Sequence, residues 1–312
     1  MGSFQSGAIN LFIRAFQKSL FVHKTETITH RSGFEKLSNI AKFPRHVRIE
    51  KEDIADVEGA WFVPVRQSDK KTILYLHGGG YCVGSFNTHR ALIARIARSA
   101  GASAFAINYR KAPEHPFPAG LDDAIDVYME LLNLGHKNIV IGGDSAGGGL
   151  CLALMQKLRE SGIEMPIGAF LISPWTDLTF TGDTIRTKAN VDPLIPPELL
   201  SVFANKYIGE YEASNPLISP LFADFDEFPP IYIQVGGHEV LLDDSTRLAK
   251  NMKDQGINVS IDVFPAMMHV FQWLGGMIPE ANKAIAQIGE FIKNLPVADH
   301  KKESKKLSLK TN

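Results

Sequence analysis

Residues 138–160 read NIVIGGDSAGGGLCLALMQKLRE. The stretch opens on Asn138–Ile141, a short β-branched apolar run, and closes on Ala146–Glu160, whose pattern predicts a helix. Between them lies Gly143-Asp144-Ser145-Ala146-Gly147, a G-x-S-x-G sequence. A sharp strand-to-helix turn holds such a serine in a strained backbone conformation. Small residues on both sides let its hydroxyl stand exposed at the strand's carboxyl end. The N-terminus of the following helix favours negative charge beside it. A glycine-rich turn with an ordinary serine is the plainer reading, but strand, turn and helix in that order weigh against it. Ser145 is the candidate nucleophile.

Outward from this turn, short apolar runs alternate with helical patterns. Upstream, Ile73–Leu76 and Ser103–Tyr109 read as strands, with helices predicted over Thr88–Ser99 and Leu121–Leu134. Downstream, strands are predicted at Gly168–Ile172, Ile231–Val235 and Val259–Phe264, with helices at Ser245–Gln255 and Ala281–Lys293. This alternation implies an α/β fold with a mostly parallel central sheet covered by helices on both faces. Arg48–Ile54 and Gly59–Val65 read as an antiparallel pair leading into it. The Pro- and Asp-rich stretch at about 178–220 is too long for a bare loop and is expected to form a lid. The expected organisation is an N-terminal segment over 1–45, a main body over 46–298 and a frayed polar tail over 299–312.

A second motif, His77-Gly78-Gly79-Gly80, follows the strand Ile73–Leu76. Consecutive glycines let amide groups face a cavity without Cβ obstruction, as a site for a developing oxyanion requires. The amides of Gly79, Gly80 and Ala146 are the natural donors. His77 is expected to shape the loop through hydrogen bonds rather than act as a base. A phosphate-cradling loop is the structural rival, but the GK[ST] ending is missing. A serine hydroxyl needs a base, and the base an orienting acid. Of the ten histidines, His238, His269 and His300 lie beyond Ile231–Val235; His238 sits in the loop 236–244 itself, and His300 belongs to the polar tail. His269 is the candidate base. The acid lies in the loop 236–244, where Glu239 is favoured by its nearness to the strand end and Asp243 remains the alternative. Asp243 and Asp244 are expected to open the next helix as N-cap and first-turn residues.

The 312 residues carry 33 basic and 34 acidic side chains, so no net field draws the chain to nucleic acid. With 45% hydrophobic and 21% charged residues, the composition is that of an ordinary globular protein. Two cysteines cannot build a disulfide framework and fit a reducing, cytoplasmic setting. Ile9–Val22 is apolar but interrupted by Arg14 and Lys18, which predicts an amphipathic helix packed on the body rather than a span or a secretory signal. Met1–Ser6 fits the loose N-myristoylation pattern, which is too short to carry weight. Scattered histidines offer no metal cluster.

The segments HGGGYCVG (77–84), YRKAPEHPFPAG (109–120), GDSAGG (143–148), SPWTDLT (173–179), GGHEVLLDDS (236–245) and MMHVFQ (267–272) together resemble the hormone-sensitive-lipase-like family of bacterial carboxylesterases. The resemblance covers roughly Arg48 to Leu295. It implies an α/β-hydrolase body under a helical cap, built from the N-terminal segment and the stretch after Ser173-Pro174-Trp175. It also implies small esters with short to medium acyl chains as substrates, and no cofactor. Aligning on the Leu-Leu-x-Asp run places Glu239 at the acid position, where many relatives carry Asp followed by Pro. Lactonase or amidase chemistry would use the same machinery, and a non-catalytic ligand-binding protein on the same fold would lack a working triad. Homodimers are common among such relatives, and the sequence leaves the oligomeric state open. Arg110, Glu114 and His115 are expected to form a structural hydrogen-bond network, Asp144 to brace the turn, and Asp177 and Asp192 to fix the entrance to the cap. Tyr81 and Cys82 are expected near the pocket, with Phe203 or Tyr207 facing it from the cap.

Overall fold

The computed structural model describes residues 31–35, 42–67 and 70–297. The expected helix at 9–22, the pattern at 1–6 and the tail after residue 299 lie outside the described residues. Eight strands form one sheet: β1 (Val47–Ile54), β2 (Val57–Pro64), β3 (Thr72–Leu76), β4 (Ser103–Ile107), β5 (Ile139–Asp144), β6 (Gly168–Ile172), β7 (Ile231–Gly236) and β8 (Val259–Phe264). Their spatial order is β1-β2-β4-β3-β5-β6-β7-β8. The β1–β2 and β2–β4 pairs are antiparallel, and every other pair is parallel.

The burial of each strand explains its sequence. β3, β5, β6 and β7 are buried along their whole length, which is why they read as unbroken apolar runs. Successive residues serve opposite faces. Leu74, Leu76, Ile139 and Ile141 pack into one core, whereas Ile73, Tyr75 and Val140 pack into the other. The first core is closed by helices α2 (Ala119–Asn133), α3 (Ala146–Glu160) and α6 (Leu242–Asp254), and the second by α1 (Phe86–Ala100) and α7 (Pro279–Asn294). β1 and β2 meet at the two-residue turn Ala55-Asp56, both left-handed at φ 52° and 61°, as a tight hairpin demands.

α1 begins two residues before the predicted helix. Ser85 caps it by accepting from the Thr88 amide, while the Thr88 hydroxyl accepts from the Ser85 amide. The expected lid at 178–220 contains α4 (Thr184–Thr187) and α5 (Pro197–Ile208). α5 lies on the loop after β3. The Tyr207 ring stacks on Tyr81 at 3.7 Å, and the Phe203 ring covers Gly80 so closely that a Cβ there would come within 2.2 Å of it. Among the described residues, no helix is long and apolar enough to cross a membrane. Cys82 and Cys151 are both free and buried.

Candidate active site

β5 runs to Asp144, so the chain passes from strand to helix through Ser145 alone. Ser145 sits at φ 53°, ψ −122°, a left-handed backbone that an L side chain adopts only under strain. Surrounding hydrogen bonds impose it. The Ser145 amide donates to Ile172 O (2.9 Å), and its carbonyl accepts from Gly148 (3.0 Å) and Trp175 (2.9 Å). The flanking glycines are a steric requirement: a Cβ at Gly143 would lie 2.6 Å from the Gly147 carbonyl, and one at Gly147 only 2.0 Å from Leu76 O. Although Ser145 is the N-cap of α3, its hydroxyl makes no capping bond and stays available at the positive end of the helix.

The loop after β3 adjoins this turn, because β3 and β5 are neighbours. Gly79 and Gly80 take φ +118° and +59°, and their amides donate to no described residue. His77 is fully buried and donates from Nδ1 to Gly78 O (2.7 Å). Burial, with Lys111 and His89 adding to it, pushes its imidazole well below the ordinary range, so the ring is neutral. Its ring is stacked on Tyr109 at 4.4 Å.

Two strands along the same carboxyl edge, β7 is followed by Glu239 and β8 by His269. His269 Nδ1 lies 3.2 Å from Glu239 Oε1, with both side chains buried. A proton on Nδ1 donated to that carboxylate leaves Nε2 as the nitrogen able to accept another. Burial lowers the proton affinity of His269, but the hydrogen bond and charge of Glu239, then Asp192 and Asp144, outweigh it and raise the imidazole above its ordinary value of 6.5. Asp144 directly precedes Ser145, so the imidazole lies within the electrostatic reach of the serine turn. Asp243 turns elsewhere and accepts the Thr184 amide at 3.0 Å.

A family model for the alpha/beta hydrolase fold matches residues 73–273. An acetyl-hydrolase of Streptomyces hygroscopicus is 39% identical over 235 residues, covering 75% of this chain and 78% of that one. An esterase of Acinetobacter venetianus is 37% identical over 258 residues, covering 81% and 85%. The crystal structure of an esterase from the bacterial hormone-sensitive lipase family superposes with a TM-score of 0.90 at 36% identity, covering 95% of this chain and 99% of that one. The chain belongs to the bacterial hormone-sensitive-lipase-like branch of the α/β-hydrolase esterases.

In this esterase the bracing contacts of Glu239 were not assigned from the sequence, although Ser173 and Gly236 lie in quoted segments and Asp192 was expected at the cap entrance. Ser173, just after β6, donates to Glu239 Oε2 (2.8 Å) and accepts the Val270 amide (3.2 Å), tying the Glu239 and His269 loops together. The Gly236 amide donates to the same carboxylate oxygen at 2.8 Å. Asp192 reaches from the cap to the Val240 amide at 3.0 Å. The capping expectation for the next helix needs correction. The N-cap of α6 is Leu241, and Asp243 and Asp244 both lie in the first turn. Asp244 instead accepts the amides of Thr176 and Asp177, because the segment after β6 crosses over that turn. Arg110 pairs with Asp123, and Glu114 with Arg31.

Proposed function

We propose that this esterase hydrolyses short- to medium-chain carboxylic esters through an acyl-enzyme on Ser145, with His269 as base and Glu239 as its acid. His269 Nε2 takes the Ser145 proton as the hydroxyl attacks the ester carbonyl. The amides of Gly79, Gly80 and Ala146 receive the oxyanion. The imidazolium then protonates the leaving alcohol, and water activated by the same nitrogen releases the acid. Glu239 holds the tautomer and steadies the charged imidazole.

The observation that carries this reading is the buried Glu239–His269 pair on the same sheet edge as the strained Ser145. The names borne by the relatives, acetyl-hydrolase and esterase, support small acyl esters as the substrate class. The test is turnover of p-nitrophenyl acetate through dodecanoate beside a lactone panel, with Ser145→Ala as control. Wild type is expected to prefer the short esters and to be labelled at Ser145 by a fluorophosphonate. Ser145→Ala should lose about 10⁴-fold or more in kcat with its circular dichroism unchanged. Full activity in that variant, or no labelling of the wild type, would overturn the assignment.

A further inference from the structure

We propose that Asp144 is a positioning residue that locks the Gly79 amide in place for the oxyanion, with His89 as its buried counter-group. The proposal rests on the reading of Ser145 and the loop amides given above. Asp144 is the last residue of β5, and its side chain is 3% exposed. Oδ1 accepts the Tyr75 hydroxyl (2.7 Å) and the Gly78 amide (3.2 Å), and Oδ2 lies 3.1 Å from His89 Nε2. Gly78 must be glycine for this approach, since a Cβ there would come within 2.3 Å of Oδ2. Burial pushes the Asp144 carboxyl up, yet His89, with the donors from Tyr75 and Gly78, outweighs it and holds the group below its ordinary range. These partners thus favour the charged carboxylate.

The consequence follows from peptide planarity, since the N–H and C=O of one trans peptide point in opposite directions. The His77–Gly78 peptide is clamped at both ends: its N–H by Asp144, its carbonyl by the Tyr109 hydroxyl at 2.8 Å. The next peptide, Gly78–Gly79, has its carbonyl held by His77 Nδ1 at 2.7 Å. With that oxygen fixed, the Gly79 N–H can point only to the opposite side, and it remains unpaired among the described residues. The side chain next to the nucleophile thus anchors the peptide on which the first oxyanion donor is built, and His77 sets the direction of the donor peptide itself. Because Asp144 belongs to the serine's strand, this bond ties the loop directly to the serine turn.

The test compares Asp144→Ala and Asp144→Asn for kcat, KM and inhibition by a trifluoromethyl ketone, whose hemiketal needs the same amides. Asp144→Ala is expected to lose about 10²-fold in kcat with KM within about threefold, and ketone affinity should fall in step with kcat/KM. Asp144→Asn should recover to within about tenfold of wild type, because its amide oxygen still accepts the Gly78 N–H. Tyr109→Phe, which frees the other end of the same peptide, should show the same paired loss on a smaller scale. It serves if Asp144→Ala does not fold. Ketone affinity within about threefold of wild type in Asp144→Ala, or in Tyr109→Phe where that variant must stand in, would sink the proposal. A Ser145→Ala enzyme that still turned over would instead sink the reading beneath it, and that is measured separately.

Discussion

At the scale of single residues, the decisive contact is between one imidazole nitrogen and one carboxylate oxygen. Glu239 offers Oε1 to His269, and its Oε2 is held by the Ser173 hydroxyl and the Gly236 amide, so the carboxylate has no freedom to turn away. The raised proton affinity of His269 has a kinetic sign. A general base must be neutral, so with His269 in the proposed role the acid limb of kcat/KM should lie above 6.5. Glu239→Gln removes the largest contribution opposing burial, and its acid limb should drop below that of wild type while kcat falls by about 10³-fold or more. A pH–rate profile that keeps the wild-type limb would reject Glu239 as the partner. The same residues show what sequence reading reaches. His269 stood out because so few histidines follow β7, whereas Ser173 is one serine among many until it lies against Glu239.

At the scale of elements, the junction of β5 and α3 is built on backbone crowding. A methyl group at Gly147 would stand 2.0 Å from Leu76 O and 2.6 Å from His77 O, both main-chain atoms that cannot swing aside. Gly147→Ala should therefore shift α3, costing about 1–3 kcal/mol or more in stability and displacing Ser145 with it. Gly162 provides the contrast. It has φ +64° but nothing within 4 Å of a new Cβ, so Gly162→Ala should cost only the left-handed strain of about 1 kcal/mol. Urea midpoints and kcat for the two variants check the ranking, and equal losses would contradict it. The G-x-S-x-G pattern was legible because this crowding is local in sequence. The start of α1 was not, since its cap pairs a serine with a threonine instead of an acidic residue.

At the scale of the whole molecule, buried carboxylates join the cap to the loops after β6 and β7. Asp177 accepts Thr179, Thr181 and Arg247 at the base of the cap, and Asp192 and Asp244 tie that region to the loop and helix after β7. Asp244 is 1% exposed, and burial, only partly offset by the Thr176 amide, pushes its carboxyl up from 3.8 to about 7. A pKa raised on folding means stability that is full below 3.8 and lost as pH rises through about 7. Asp244→Asn keeps an oxygen for the two amides and removes the titration. The difference in Tm, variant minus wild type, should therefore grow more positive from pH 5 to pH 8, by the equivalent of a few kcal/mol. Thermal scans of both proteins at the two pH values test this. A constant difference would show that Asp244 carries no buried charge penalty.

The sequence by itself determined the α/β layering, the serine turn, the glycine loop and the histidine. Strand periodicity and close backbone approach leave their marks within a few neighbouring residues. Tertiary structure alone decided which carboxylate meets His269 and which side chains brace it. Ser173 bonds Glu239 across 66 residues, and Asp144 holds Gly78 across 66. Parallel strands need long crossovers, so side chains that meet at one sheet edge are far apart in the chain. A residue's pattern tells which face it buries, but not what it will touch there.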